Sequence, residues 1–144
     1  MTVMPIERGK IREYALATAN DRPEYMDDPR APIPPTFLAT VIYWASIGGG
    51  RSPEAEQLFA ELGITPDWRS LLSAEQEYVF HGPLPRAGDE LVVSSRSGGA
   101  EVKQGRRGPM VFVRSIVEFR NPDDGSLVAE CIYTSAYLSD TPAA

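Results

Sequence analysis

Residues 32–50 read PIPPTFLATVIYWASIGGG, the most apolar stretch of the chain's first half. Its three prolines force an extended approach, and proline is tolerated in a first helical turn because the missing N–H has no partner there. Residues 36–47 are almost wholly apolar, and a helix that is apolar on nearly all sides is normally buried on nearly all sides. The glycines at 48–50 stop it. We therefore expect a long, covered helix over residues 36–47.

Two amphipathic segments flank this helix. In residues 7–19, apolar side chains recur at the i, i+3, i+4, i+7 spacing of a helix face, and the turn-forming residues 20–23 end the pattern. Residues 53–62 have the same spacing, with Gly63 as the stop signal, which predicts a shorter surface helix.

From Ser73 onward the hydrophobic period changes from helical to alternating. The stretches 75–81, 90–97, 110–120 and 127–138 are rich in β-branched and aromatic residues, which predicts four strands, and residues 121–125 form a turn suited to an antiparallel hairpin. Because this sheet must cover the apolar helix, we expect an α+β domain with one open sheet edge, and dimerisation through that edge.

Length and charge limit the possible partners. A chain of 144 residues corresponds to one domain, which we place over 1–144. A net charge of -6 argues against nucleic acid as a partner. The basic cluster of Lys103, Arg106 and Arg107 is typical of a solvated hairpin, and a docking point for a phosphorylated carrier or cofactor is the alternative.

Cysteine use and hydropathy predict the compartment. The single cysteine, Cys131, lies in an apolar strand pattern, which favours a buried side chain over a nucleophile and suits a reducing cytoplasm. No apolar run approaches the roughly 20 residues that cross a bilayer. We expect a cytoplasmic protein with no membrane partner.

Three motifs point to a family when they are taken in order. They are IREYA at 11–15 with NDRPEY at 20–25, APIPPTF at 31–37, and YVFHGPL at 78–84 with RAGD at 86–89. Together they resemble the MaoC-like hydratase/dehydratase family, in particular its N-terminal half-domains and the non-catalytic subunits of heteromeric (R)-specific enoyl-thioester hydratases. The resemblance implies a single hot-dog domain, in which an antiparallel sheet wraps around a long central helix and two such units pair into one continuous sheet.

The catalytic positions of that family are replaced in this chain. The family hydrates trans-2-enoyl thioesters, or reverses that reaction, with a motif Asp-x-Asn-Pro-x-His whose aspartate and histidine hold a water molecule for acid/base chemistry. Alignment on Pro23 puts Asn20 at the aspartate position, Arg22 at the asparagine position and Tyr25 at the histidine position. The resemblance therefore implies no catalytic residue in this chain.

Substrate-binding residues are still expected. Asn20 and Tyr25 can line a pocket through hydrogen bonds, although simple turn chemistry explains them equally well. The free N–H groups and positive dipole end at the start of the apolar helix can polarise a thioester carbonyl. The resemblance places Pro35, Thr36 and Phe37 at the acyl channel. The substrate would be an acyl-CoA or acyl-carrier protein thioester, with no metal and no further cofactor.

Three functional hypotheses follow. The first is a subunit of a heteromeric hydratase or dehydratase, a heterodimer or heterotetramer in which a catalytic MaoC-like hot-dog partner supplies the Asp/His pair. The second is a homodimer that binds an acyl thioester without transforming it. The third is a homomeric enzyme with relocated acid/base groups, for which Asp21, Glu24 and His81 are the candidates, although a solvated acidic loop and an ordinary strand histidine explain them more simply.

Overall fold

The computed structural model describes residues 2–45, 52–67, 69 and 71–139. Five strands and a few helices follow one another along the chain. They are β1 (Thr2–Pro5), α1 (Arg8–Ala17), α2 (Pro23–Met26), a 3₁₀ helix (Phe37–Tyr43), α3 (Pro53–Leu62), β2 (Leu71–Phe80), β3 (Glu90–Gly105), β4 (Gly108–Arg120) and β5 (Leu127–Leu138).

The strands form one five-stranded antiparallel sheet in the order β1-β3-β4-β5-β2. β1 runs antiparallel to β3, with Thr2 opposite Val93 and Pro5 opposite Glu90. The sheet and the few helices define an α+β fold of the hot-dog class, so the expected fold class is confirmed. The sequence had predicted four strands, because β1 is only four residues long and carries no strand pattern of its own.

The described residues form two compact units, one within residues 1–47, 78–94 and 117–131, the other within 48–77, 95–116 and 132–144. In the first unit, α1 places Ile11 and Ala15 on one buried face, four residues apart. Phe37 and Phe119 are the largest of its fully buried side chains. Cys131 is fully buried too, as its strand pattern predicted.

The second unit is organised around α3. The Ser52 hydroxyl accepts a hydrogen bond from the Ala55 amide at 3.2 Å and caps the start of the helix, while Gly63 ends it at a φ of 61°, in the left-handed region that favours glycine. Ala55 and Phe59, one turn apart, are buried against Val111 of β4. The rings of Phe59 and Tyr137 meet edge to face at 5.0 Å.

The apolar segment after the prolines differs from its prediction. It forms a 3₁₀ helix over Phe37–Tyr43, and residues 46–50 lie outside the described residues. The expectation of burial on nearly all sides was wrong, because Ile42, Tyr43 and Trp44 are 54%, 80% and 42% exposed. A run of β-branched and aromatic residues has low helix propensity, and a 3₁₀ helix repeats every three residues, so only a narrow row of side chains is covered.

Two strands are longer than predicted. β2 begins at Leu71 instead of residue 75, and β3 continues to Gly105 instead of residue 97. The added part of β3 contains three glycines together with Ala, Glu and Lys, which have low strand propensity. Pairing with β4, its neighbour in the sheet, extends the strand past the point where its own sequence stops favouring it.

Candidate functional site

The loop after α1 brings together Asn20 and Tyr25, the two residues that the sequence predicts at the family's catalytic positions. The chain leaves the helix through Ala19, whose φ is 55°, and the Asn20 amide donates to the Ala15 carbonyl at 2.8 Å. Tyr25 lies in the short helix α2 and is buried, while Asn20 is half-buried. Burial raises the pKa of the Tyr25 phenol, as does the nearby Glu24 carboxylate, whereas Arg22 and a hydrogen bond with the Asn20 side chain act to lower it.

Asn20 and Tyr25 can form hydrogen bonds, but they cannot act as an acid/base pair near neutral pH. An amide does not titrate, and a phenol whose pKa is raised above 10.0 remains neutral. Both groups can donate and accept hydrogen bonds. The pair can therefore provide polar contacts but not the acid/base chemistry of the family motif.

The acidic residues around Tyr25 are solvated or already paired. Asp21 and Asp27 are exposed. Glu24 lies 3.1 Å from the Arg22 guanidinium, and Asp28 accepts a hydrogen bond from the Arg30 amide at 2.8 Å. This arrangement matches the simpler interpretation of the loop as a solvated acidic segment.

Arginine side chains hold the loop that carries Tyr25. Arg8 donates to the Met26 carbonyl at 3.0 Å. Arg30 donates to the Ala87 carbonyl at 2.7 Å and to the Asp89 carboxylate at 2.9 Å. The loop is therefore tied both to α1 and to the turn before β3.

The Pro-Pro-Thr-Phe segment is tied to α1 through Tyr14. The Tyr14 hydroxyl lies 2.7 Å from Thr36 Oγ1 and donates to the Thr36 carbonyl at 3.1 Å. The Tyr14 and Phe37 rings meet edge to face at 5.6 Å. Of the three residues expected here, Pro35 and Thr36 are exposed and Phe37 is buried.

Two amides at the start of the 3₁₀ helix, where we expected a carbonyl-binding site, already have backbone partners. The Phe37 amide donates to the Pro34 carbonyl at 3.0 Å, and the Ala39 amide donates to the Thr36 carbonyl at 3.1 Å. A helix of seven residues with these donors already used has little dipole to offer. The expectation that this end polarises a thioester carbonyl stays a prediction, and these two bonds weaken it.

Two neighbouring cavities lie beside Phe37 and share Lys10, Thr40 and Tyr43. The larger has a volume of about 400 Å³ and the smaller about 220 Å³. The larger is lined by Lys10, Glu13, Tyr14, Ala17, Ala39, Thr40, Ile42 and Tyr43, and the smaller by Met4, Pro5, Glu7, Lys10, Phe37, Thr40, Tyr43 and Trp44.

The cavities contain residues that the sequence had assigned elsewhere. Of the predicted binding residues only Phe37 lines either cavity, while Asn20, Tyr25, Pro35 and Thr36 line neither. Tyr43 and Trp44 had been placed in a covered helix. The run of large apolar residues at 42–44 was the available signal, because three consecutive side chains cannot all face one core.

A third cavity of about 700 Å³ lies beside His81 at the end of β2. His81 Nε2 lies 2.8 Å from the Glu130 carboxylate. His81 follows the last residue of β2, and Glu130 lies in β5, the neighbouring strand of the sheet. Arg86 and Asp123 also line this cavity. The chain's only histidine is thus a partly exposed, paired residue, as its simpler interpretation predicted.

The described residues contain neither a metal-binding cluster nor a membrane-spanning helix. Within the described ranges, no group of three or more His, Cys, Asp or Glu side chains is arranged to hold a metal ion. No helix in that part of the chain combines the length and the apolar character needed to cross a bilayer.

Comparison with known proteins assigns the chain to a family. The sequence model of the family described as FAS1-like, dehydratase domain region matches residues 2–130, and the chain belongs to that family. A curated relative, the UPF0336 protein of Streptomyces griseus, is 32% identical over 98 residues, which cover 62% of this chain and 59% of the relative. The chain therefore spans less than two thirds of that relative's length.

Solved structures share the fold. The MaoC-like dehydratase of Phytophthora capsici superposes with a TM-score of 0.66 at 15% identity, covering 99% of this chain and 47% of that one. The HadBC (3R-hydroxyacyl-ACP dehydratase) complex of Mycobacterium tuberculosis gives 0.63 at 21% identity, covering 93% and 89%. The ChsH1–ChsH2 complex of the same organism superposes with a TM-score of 0.62 at 21% identity, covering 98% of this chain and 82% of that one. The resemblance to MaoC-like hot-dog dehydratases is confirmed.

Proposed function

We propose that this chain is a subunit of a heteromeric enoyl-thioester hydratase or 3-hydroxyacyl-thioester dehydratase. It shapes the acyl-binding channel, and a partner hot-dog subunit supplies the Asp/His pair. One observation carries the proposal: in a chain of the dehydratase family, Asn20 and Tyr25, which the sequence aligns with the acid/base pair, lie within hydrogen-bonding reach of each other. Both groups stay uncharged near pH 7, so the proton transfers must come from another chain.

The comparisons support a heteromer. Two of the similar solved structures, HadBC and ChsH1–ChsH2, are complexes. The partner of this chain would be a catalytic MaoC-like hot-dog subunit in a cytoplasmic heterodimer or heterotetramer. The substrate would be an acyl-CoA or an acyl-carrier protein thioester, and no metal or further cofactor is required.

The two cavities beside Phe37 are the part of the chain best suited to an acyl group. The larger exposes more apolar than polar surface, and it lies next to the smaller one across Thr40 and Tyr43. Acyl chains are recognised by apolar walls with a few polar groups that orient them. Tyr43 and Trp44 are exposed aromatic side chains on these walls, where a bound acyl chain would cover them.

The deciding experiment mixes the purified chain with a catalytic MaoC-like subunit encoded beside it. The mass of any complex is measured, and hydration of crotonyl-CoA and of a bulky enoyl-CoA is assayed. We expect a stable complex that is active only when both chains are present. Turnover by this chain alone would refute the proposal, and thioester binding by a homodimer without turnover would support the alternative of a non-catalytic binding protein.

The channel is tested with Tyr43→Ala in the reconstituted complex. Because Tyr43 borders both cavities, its removal should raise the KM of the bulky substrate about tenfold and that of crotonyl-CoA less than about twofold. Leu84→Ala is the matched control, since Leu84 is an exposed apolar residue outside both cavities. Equal effects of the two variants on KM would show that Tyr43 does not line the channel.

A further inference from the structure

The hairpin between β3 and β4 carries an isolated block of positive charge. β3 ends at Gly105, β4 begins at Gly108, and the turn between them consists of Arg106 and Arg107, which are both exposed. Gly108 has a φ of 126°, a conformation that L side chains rarely adopt, so the glycine permits this tight reversal.

The neighbouring charges leave the two turn arginines free. Residues 101–114 contain four cationic side chains and one carboxylate, in a chain whose net charge is -6. That carboxylate, Glu101, pairs with Arg114 and lies 3.4 Å from Lys103 Nζ, which also sits 4.7 Å above the Phe112 ring. Among the residues that the structure describes, Arg106 and Arg107 form no ion pair.

The hairpin presents its cations on an exposed turn and on the two strands beside it. None of the three cavities described above is lined by a residue of the hairpin. A nucleotide such as coenzyme A normally needs a concave site, whereas cations distributed over two strands and a turn can face an extended anionic surface. The remainder of the chain is acidic, so an anionic partner would be attracted to the hairpin and repelled elsewhere.

We propose that the tip of the β3–β4 hairpin, with Arg106 and Arg107 at its centre, docks the acidic face of an acyl-carrier protein. This inference rests on the proposed function, and it selects the carrier-bound thioester over the coenzyme A thioester as the substrate. One similar solved structure, HadBC, is a complex described as a 3R-hydroxyacyl-ACP dehydratase. The contact would mainly increase the association rate of the carrier, and it would weaken as added salt screens the charges.

The test compares two forms of one substrate in the complete heteromer. The variants are Arg106→Ser/Arg107→Ser, the charge-keeping Arg106→Lys/Arg107→Lys, and Arg12→Ser as an exposed arginine on α1 far along the chain. KM is measured with a crotonyl group on a bacterial acyl-carrier protein and with crotonyl-CoA. For the double serine variant we expect KM to rise about five- to tenfold with the carrier and to change less than about twofold with coenzyme A.

The controls separate docking from structural damage. The lysine variant should keep most of the carrier affinity, and Arg12→Ser should behave as wild type. The difference in carrier KM between the double serine variant and the wild type should disappear at about 0.5 M salt. Equal losses with both substrates, or no loss with either, would overturn the inference.

Direct titration of the isolated chain with the acyl-carrier protein keeps this test separate from the proposed function. If the heteromer is inactive on every thioester, the proposed function fails. Loss of carrier binding in the double serine variant would still support the docking surface, and carrier binding unchanged by that variant would refute it.

Discussion

Burial of Tyr25 has a measurable consequence, because its phenol is held in the neutral form. The pKa of this group is raised above 10.0, first by burial and next by the Glu24 carboxylate. The folded protein therefore holds the phenolic proton at a pH where the unfolded chain has begun to release it. The stability that this provides is present below about pH 10 and is lost as the pH rises through the folded-state pKa.

Tyr25→Phe should remove that pH dependence. We expect the free energy of unfolding of the variant to fall less steeply than that of the wild type between about pH 9 and about pH 11. Urea unfolding at several pH values measures the two slopes, and Tyr43→Phe, which removes an exposed phenol, is the control. Identical slopes for wild type and Tyr25→Phe would show that the buried phenol titrates alike in the folded and unfolded states.

Tyr14 joins α1 to the segment before the 3₁₀ helix through one hydroxyl. Tyr14→Phe keeps the ring contact with Phe37 and removes the bonds to the Thr36 carbonyl and hydroxyl. We expect a loss of about 1 kcal/mol in the free energy of unfolding. A double-mutant cycle with Thr36→Val should be non-additive, since the two residues share a bond. Strict additivity would mean that the hydroxyl pair contributes nothing.

Among the elements, the turn over residues 85–89 connects several parts of the first unit. The Ile33 amide donates to the Pro85 carbonyl at 3.0 Å, and the Arg86 amide donates to the Asp89 carboxylate at 2.8 Å. Gly88, with a φ of 91°, donates its amide to the Ile6 carbonyl at 2.8 Å. The turn thus fixes the approach to β3 and, through Arg30, the loop that carries Tyr25.

Gly88→Ala should disturb this turn. An added Cβ would lie 2.9 Å from Arg30 Nη1, and the backbone angle is one that alanine rarely adopts. We expect a loss of about 2 kcal/mol in stability. Gly9→Ala is the matched control, because Gly9 is helical with nothing within 4 Å of an added Cβ, and it should stabilise the protein by about 0.5 kcal/mol. Thermal unfolding compares the two, and equal midpoints would contradict this account.

At the scale of the whole molecule, β1 and β2 form the two edges of the sheet. β2 is ten residues long and mostly exposed from Leu72 to Glu77, so its outer side offers a strand-pairing surface. Long exposed edges normally pair with another chain or are covered. This edge is where we expect the partner hot-dog subunit to join the sheet.

Proline substitutions at adjacent positions test the edge. Successive residues of an antiparallel strand point their N–H groups alternately toward the neighbouring strand and away from it. Of Ala74→Pro and Glu75→Pro, the variant that removes the outward N–H should weaken association with the catalytic subunit at least about tenfold. The same variant should destabilise the isolated chain less than the other one does. Sedimentation measures association, and unimpaired complexes with both variants would place the partner elsewhere.

The sequence determined the fold class, the order of helix and sheet, the buried Cys131 and the family, because these depend on hydrophobic period and on motifs read along the chain. It also predicted that Asn20 and Tyr25 replace an acid/base pair. Only the tertiary structure decided that residues 37–43 form a 3₁₀ helix with Tyr43 and Trp44 exposed beside two cavities, and that β3 continues to Gly105. Burial and strand pairing depend on neighbours that are distant in the chain, so they cannot be predicted from local propensity.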